Sequence, residues 1–185
     1  IGSMYNRGLE FAVNFSAVQK KNFSWTTSFN LSTNDNKVNS LAPGINSIIG
    51  STGGLENPNI TVPGQPISMI FVTRTKGVDP ATGRRIFING QGREVFFQHV
   101  APAGQARFMY ADGTTAPTVS NADAVVYKNT HAKIFGGWEN TVRFKGFELT
   151  ALLTYQFGNW IYFGTQAGLR DQRFWNNEVA VLNRW

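Results

Sequence analysis

The chain has no cysteine and only two histidines in 185 residues. That excludes a disulfide framework, a thiolate metal site and a cysteine nucleophile. Charge is scarce too. Asp, Glu, Lys and Arg make up 15% of the chain, against roughly 25% in soluble domains, although 17 Lys and Arg outnumber 11 Asp and Glu to leave a formal +6. No stretch approaches the roughly 18 consecutive apolar residues of a membrane-spanning helix, so helical spanning is excluded. The opening Ile1-Gly2-Ser3-Met4 has no basic n-region and no apolar h-region, so no export signal is legible. Either the protein is cytoplasmic or the sequence is an internal or processed piece of an exported chain, and the strand pattern favours a piece. What abounds is aromatic residues, at 14% with 15 Phe and 5 Trp, and glycine, of which there are 19. With plentiful Asn and Thr, this composition suits β structure better than helix.

Periodicity makes the same point. Leu9, Phe11, Val13, Phe15 and Ala17 fall on alternate positions, with Glu10, Asn14 and Ser16 between them. Phe23, Trp25, Thr27, Phe29 and Leu31 then alternate with Ser24, Thr26, Ser28, Asn30 and Ser32. Period two means strands with one apolar and one polar face, here over 7–17 and 23–33. For both apolar faces to share a side, a loop of odd length is required. A loop over 18–22 pairs Ala17 with Phe23, Phe15 with Trp25 and Phe11 with Phe29. A second hairpin joins strands over 134–144 and 147–157 through Lys145-Gly146, with Gly146 free to take positive φ. It sets Phe144 against Phe147, Val142 against Leu149 and Trp138 against Leu153.

Strands of soluble proteins run about 5 to 6 residues. These patterns persist for about 11, which at about 3.4 Å per residue and a tilt of about 45° rise roughly 26 Å, close to the apolar band of an outer-membrane barrel. The expected fold is all-β, an antiparallel transmembrane barrel segment with long extracellular loops. Phe11, Phe15, Trp25, Phe29, Val142, Phe144, Leu149 and Leu153 are expected to face lipid. Trp138, Tyr155, Trp160 and Tyr162 are candidates for the interfacial aromatic girdle. Short turns are periplasmic in such barrels, so Asn34 to Lys133, where the prolines concentrate, reads as an extracellular elaboration. Beginning and ending outside, it holds either no spanning strands or an even number; the favoured reading is none, with short strands at Ile67 to Thr73, Arg85 to Asn89 and Glu94 to Val100. Residues 164–185 read as an outer loop.

The remaining motifs carry little chemistry. In Gly77-Val78-Asp79-Pro80-Ala81-Thr82-Gly83, Asp79-Pro80 opens a type I turn and Gly83 supplies a left-handed residue. The acidic spacing of a calcium loop is missing. Gly50-Ser51-Thr52-Gly53-Gly54 lacks both the Lys of a phosphate loop and a nucleophile elbow, and reads as a mobile loop. His99 and His131 have no partner at ligand spacing, so no metal or cofactor is expected. Asp112 and Asp123 could in principle form a glycosidase pair, but read as solvated loop acids. The basic residues are scattered and form no stripe, so no nucleic-acid partner is expected.

Several phrases, in order, resemble the C-terminal half of the barrel in SusC/RagA-type TonB-dependent outer-membrane transporters. They are Asn6-Arg7-Gly8-Leu9-Glu10, Phe23-Ser24-Trp25 leading to Asn34-Asp35-Asn36-Lys37-Val38, the Gly77–Gly83 loop, Gly136-Gly137-Trp138-Glu139-Asn140, Phe144-Lys145-Gly146-Phe147-Glu148-Leu149, Gln156-Phe157-Gly158-Asn159-Trp160-Ile161-Tyr162 and Glu178 to Trp185. Ala132-Lys133 departs from the family's usual Pro-Lys. The resemblance implies a wall section, residues 1–185, of a 22-stranded barrel that imports oligosaccharides or peptides across a Gram-negative outer membrane. It further implies a plug and TonB contacts outside this chain, and a SusD-like lipoprotein lid. Four strands cannot close a barrel, so their edges depend on strands beyond this sequence. From other classes, the alternatives are a secreted carbohydrate-binding β-sandwich and a glycan hydrolase using Asp112 or Asp123.

Overall fold

The computed structural model describes residues 2–52, 56–170 and 177–183. Gly53 and Gly54 of the glycine-rich loop, residues 171–176 and the closing Arg184-Trp185 lie outside them. The strands are β1 (Ser3–Arg7), β2 (Glu10–Lys20), β3 (Phe23–Thr33), β4 (Asp35–Ser40), β5 (Ile48–Thr52), β6 (Glu56–Thr61), β7 (Met69–Val72), β8 (Arg74–Val78), β9 (Arg85–Ile88), β10 (Glu94–Phe97), β11 (Phe108–Met109), β12 (Val125–Val126), β13 (Ile134–Phe144) and β14 (Phe147–Phe157). A short helix, α1 (Gly164–Arg170), and a 3-10 turn over Val179–Asn183 follow. The stretch expected as an outer loop is therefore partly helical. The Ala167 N–H donates to the Phe163 carbonyl at 3.1 Å.

The dominant element is an antiparallel sheet in the order β14-β13-β3-β2. All four of its strands have 11 residues. Chain neighbours pair as hairpins, and β13 pairs along its whole length with β3, from Ile134 opposite Thr33 to Phe144 opposite Phe23.

The β13–β14 hairpin sets Phe144 opposite Phe147, Val142 opposite Leu149 and Trp138 opposite Leu153. Its turn takes positive φ at both central residues, 45° at Lys145 and 89° at Gly146, which matches the right-handed twist of the flanking strands.

The β2–β3 hairpin departs from expectation. Its strand is β2, at Glu10–Lys20 rather than 7–17, and the turn is the two residues Lys21-Asn22, with Lys20 opposite Phe23. A two-residue connection would set the apolar positions of β2 and β3 on opposite faces. A bulge between Ser16 and Val18 corrects this by leaving Ala17 without a partner. Phe15 therefore lies opposite Thr27 and Phe11 opposite Leu31, a shift of two residues from the expected register that keeps every aromatic on its face.

Before Gly8, β1 pairs with β4, and the register runs on unshifted past the break, with Met4 opposite Val38 and Arg7 opposite Asp35. At the junction Thr33 N–H donates to the Leu9 carbonyl at 2.8 Å, while Leu9 N–H turns to Thr33 Oγ1 at 2.9 Å. The hairpin thus extends well beyond the four-stranded sheet.

The chain divides into two compact units. The first contains the four-stranded sheet and a small core around Val38, Ile60 and Met69, in which buried Asn36 accepts the Ile67 N–H at 2.9 Å. The second contains the sheet β11-β10-β9-β8, packed around the fully buried Val95 and the contacting rings of Phe87, Phe97 and Phe108. The short strands expected at Ile67 to Thr73, Arg85 to Asn89 and Glu94 to Val100 contain β7, β9 and β10. The remaining short strands of 34–133 carry no clear alternation in the sequence.

Candidate functional site

Strand register sorts the side chains of the four-stranded sheet onto two faces. One carries Phe11, Val13, Phe15 and Val18 of β2, then Phe23, Trp25, Phe29 and Leu31 of β3. The same face continues with Ile134, Trp138, Val142 and Phe144 of β13 and with Phe147, Leu149, Leu153 and Phe157 of β14. The other carries Asn14, Ser16, Ser24, Thr26, Ser28, Asn30, Thr141, Thr150, Thr154 and Gln156, the charged Glu10, Glu139, Arg143 and Glu148, and three apolar residues, Ala12, Phe135 and Leu152. On the apolar face the only charged residue is Lys20, in its last row.

In water such a face would be covered. Here it is open: Phe11 is 58% exposed, Phe15 60%, Leu149 70% and Phe147 80%. Phe29 and Val142 are half-buried by their neighbours on the same face. The β-sandwich alternative requires a second sheet over these residues, and their exposure argues against it.

The polar groups near the middle of the apolar face bond one another. Thr27 and Asn140 face each other near mid-strand, flanked by the two tryptophans. Trp138 Nε1 donates to Thr27 Oγ1 at 2.8 Å, and Trp25 Nε1 donates to Asn140 Oδ1 at 3.2 Å. Thr27 Oγ1 also donates to the Glu139 carbonyl at 3.2 Å. Trp138 thus sits toward the middle of the strand rather than at its end, with its N–H committed to the sheet.

Tyr155 lies opposite Gly136, crosses it, and donates its hydroxyl to the Asn30 carbonyl at 2.7 Å, stacking on Phe29 at 6.1 Å. One side chain thereby ties three strands, in the space a side chain at 136 would fill. The polar face has its own cross-strand bonds: Ser28 Oγ to Asn14 Oδ1 at 2.6 Å, Thr141 to Thr150 at 3.0 Å, and the Arg143–Glu148 ion pair. Neither the Thr27–Asn140 pair nor the Gly136–Tyr155 cross was legible in one strand alone. Each joins residues about 20 to more than 100 positions apart in sequence, and the signal lies in aligning the rows.

Beyond the sheet, Trp160 is half exposed and is approached by Lys128 at 5.1 Å from the ring centre. Tyr162 is half-buried against Gly164. The Asp79-Pro80 turn closes with Gly83 N–H on the Asp79 carbonyl at 2.8 Å and Gly83 at φ 71°. The Thr82 hydroxyl and the Ala81 N–H both donate to the Asp79 carboxylate and hold its pKa below the usual carboxylate value.

The two acids considered for hydrolysis are spent in the same way. Asp112 accepts the Thr114 hydroxyl at 2.6 Å and the Thr114 N–H at 2.9 Å. Asp123 accepts the Gly90 N–H at 2.8 Å and the Ser120 N–H at 2.9 Å. Both pKa values are lowered by these bonds, whereas a general acid needs its pKa raised.

The four strands therefore define a class: an antiparallel sheet whose residues sort an uncovered apolar face from a polar, charged one. No protein-family model matches the chain. It is 24% identical over 163 residues to the TonB-dependent receptor SusC of Bacteroides thetaiotaomicron, covering 88% of this chain and 15% of that protein. To the TonB-dependent receptor P3 of Formosa agariphila it is 26% identical over 188 residues, covering 100% and 18%. Among solved structures, the RagAB peptide transporter superposes with a TM-score of 0.69 at 22% identity, over 100% of this chain and 19% of that one. The RagAB peptide importer in its closed-closed state gives 0.61 at 23% identity over 86% and 16%. The chain is thus similar to SusC/RagA-type TonB-dependent receptors and spans less than a fifth of the length of these relatives. Those relatives are receptors and transporters rather than enzymes.

Proposed function

We propose that the chain is a section of wall and outer rim of an outer-membrane nutrient importer of the SusC/RagA kind. The apolar face meets lipid and the polar face lines the lumen. The observation that carries this reading is the sorting of charge over four strands of equal length. Glu10, Glu139, Arg143 and Glu148 share the polar face, while Phe11, Phe15, Leu149 and Leu153 stand uncovered on the other. Eleven residues per strand give about 26 Å of rise at a tilt of about 45°, which fits the apolar band of such barrels.

Phe11, Phe15, Trp25, Phe29, Val142, Phe144, Leu149 and Leu153 are then the lipid contacts. Tyr155, Trp160, Tyr162 and Trp138 are the girdle candidates, Trp138 lying nearer mid-strand with its N–H on Thr27. The unshifted continuation of the β2–β3 hairpin into β1 and β4 would carry the wall outward into the rim. The cargo class is oligosaccharides or peptides, a SusD-like lipoprotein forms the lid, and energy arrives from TonB through parts of the protein outside this chain. TonB dependence and a peptide cargo are in keeping with the names of the relatives given above.

Topology tests the reading. An epitope placed after Gly113 in the full-length protein should be detected on intact cells, and one placed between Lys145 and Gly146 only after the outer membrane is permeabilised. Detection of both on intact cells, or recovery of the protein in the soluble fraction without detergent, would overturn it.

A further inference from the structure

The apolar face ends in an unusual row. Lys20, Phe23, Phe144 and Phe147 lie side by side across the four strands, and the next residues are the turn lysines Lys21 and Lys145. The two turns form one edge, because Lys145 N–H donates to the Asn22 carbonyl at 3.1 Å. Beside them lies an open depression of about 400 Å³, lined by Lys20, Lys21 and Lys145 and, from the polar face, by Ser24, Arg143 and Glu148. Arg143, also at this edge, is neutralised by Glu148. Among the described residues, no carboxylate lies within ion-pair distance of Lys20, Lys21 or Lys145. Phe144 and Phe147 remain exposed beside them, and the Lys145 ammonium sits 5.3 Å from the Phe144 ring centre.

A ligand for this edge needs an anionic group joined directly to hydrocarbon, since the charged layer follows the phenyl layer within about one strand residue, or about 3.4 Å. An acidic peptide would answer the lysines and leave the phenyl rings bare. A bare phosphate would do the same. We infer that the turn edge of this sheet is a binding site for an anionic phospholipid, its phosphate held by Lys20, Lys21 and Lys145 and its acyl chains lying on Phe23, Phe144 and Phe147. Lys20 reaches the site by extending its ammonium past the end of the apolar face while its methylenes stay on it. The inference rests on the lipid-facing reading of that face and adds a headgroup preference to it.

The test uses the full-length protein purified in detergent, with native mass spectrometry of retained phosphatidylglycerol against phosphatidylcholine. Wild type is expected to retain phosphatidylglycerol several-fold better, and a Lys20→Gln, Lys21→Gln, Lys145→Asn variant to lose that preference. Asn at 145 tolerates the left-handed backbone of the turn. If the triple variant does not assemble, the Lys20→Gln variant alone should show a partial loss. Excess inorganic phosphate should leave the bound lipid in place.

Equal retention of the two lipids by wild type, an unchanged preference in the variants, or displacement by inorganic phosphate would overturn the inference. Oxygen accessibility of a spin label at Leu149 separates its failure from failure of the underlying reading. A lipid-exposed Leu149 with no headgroup preference removes only the site, whereas a water-exposed Leu149 removes both.

Discussion

At the scale of single residues, the sheet depends on positions where alternation is interrupted. Gly136 is one. A Cβ there would lie 2.1 Å from the Asn30 carbonyl oxygen and 2.6 Å from the Tyr155 hydroxyl. Neither can retreat cheaply, because one is backbone and the other is hydrogen-bonded to it. Gly136→Ala is expected to destabilise the folded protein by about 1–3 kcal/mol, the usual cost of overpacking. At Gly137 the nearest atom to a Cβ is 3.4 Å away, so Gly137→Ala should cost clearly less. Thermal unfolding of the two full-length variants checks this, and equal losses would remove the special role given to the Gly136–Tyr155 cross. The paired glycines before Trp138 are plain in the sequence, but what fills the space over the first of them is not. That depends on a strand pairing that only the three-dimensional register supplies.

At the scale of elements, the two hairpins show what alternation can and cannot specify. The β13–β14 turn was legible because Lys145-Gly146 separates two apolar series whose parity already agrees, so a two-residue turn with positive φ is the simplest solution. In the β2–β3 hairpin the odd-numbered series requires a parity correction, which an odd loop over 18–22 would supply. The chain places it at Ala17 and keeps the turn short. Parity alone does not distinguish the two, because a bulge and an odd loop have the same effect on which face a residue occupies.

The bulge makes a sharp expectation. Deleting Ala17 should regularise the ladder and leave Phe11, Val13 and Phe15 on the apolar face, with assembly close to the wild-type level. Deleting Asn14 should instead turn Glu10 to Val13 over, bringing Glu10 onto the apolar face and abolishing assembly. Heat-modifiable migration of the full-length variants reports both. Assembly of the Asn14 deletion at the level of the Ala17 deletion would contradict the assigned register.

At the scale of the whole molecule, the amount of legible information falls with the length of the repeat. Four strands with 11 residues each impose period two over many rows, so their faces and the uncovered apolar surface follow from pattern and length. The strands within 34–133 run from two to six residues. That is too short for a period to stand out, and the side-chain bonds that pin this region, such as Ile67 N–H to Asn36, are announced by no local pattern.

The central claim, that the apolar face meets hydrocarbon, is tested most directly by a nitroxide scan along Phe147 to Phe157 in the reconstituted full-length protein. Collision rates with oxygen and with a water-soluble nickel chelate would be measured at each position. Oxygen maxima are expected at Leu149, Ala151, Leu153 and Tyr155, with nickel maxima at Thr150, Leu152 and Thr154. A flat profile, or nickel maxima at Leu149 and Leu153, would contradict the account.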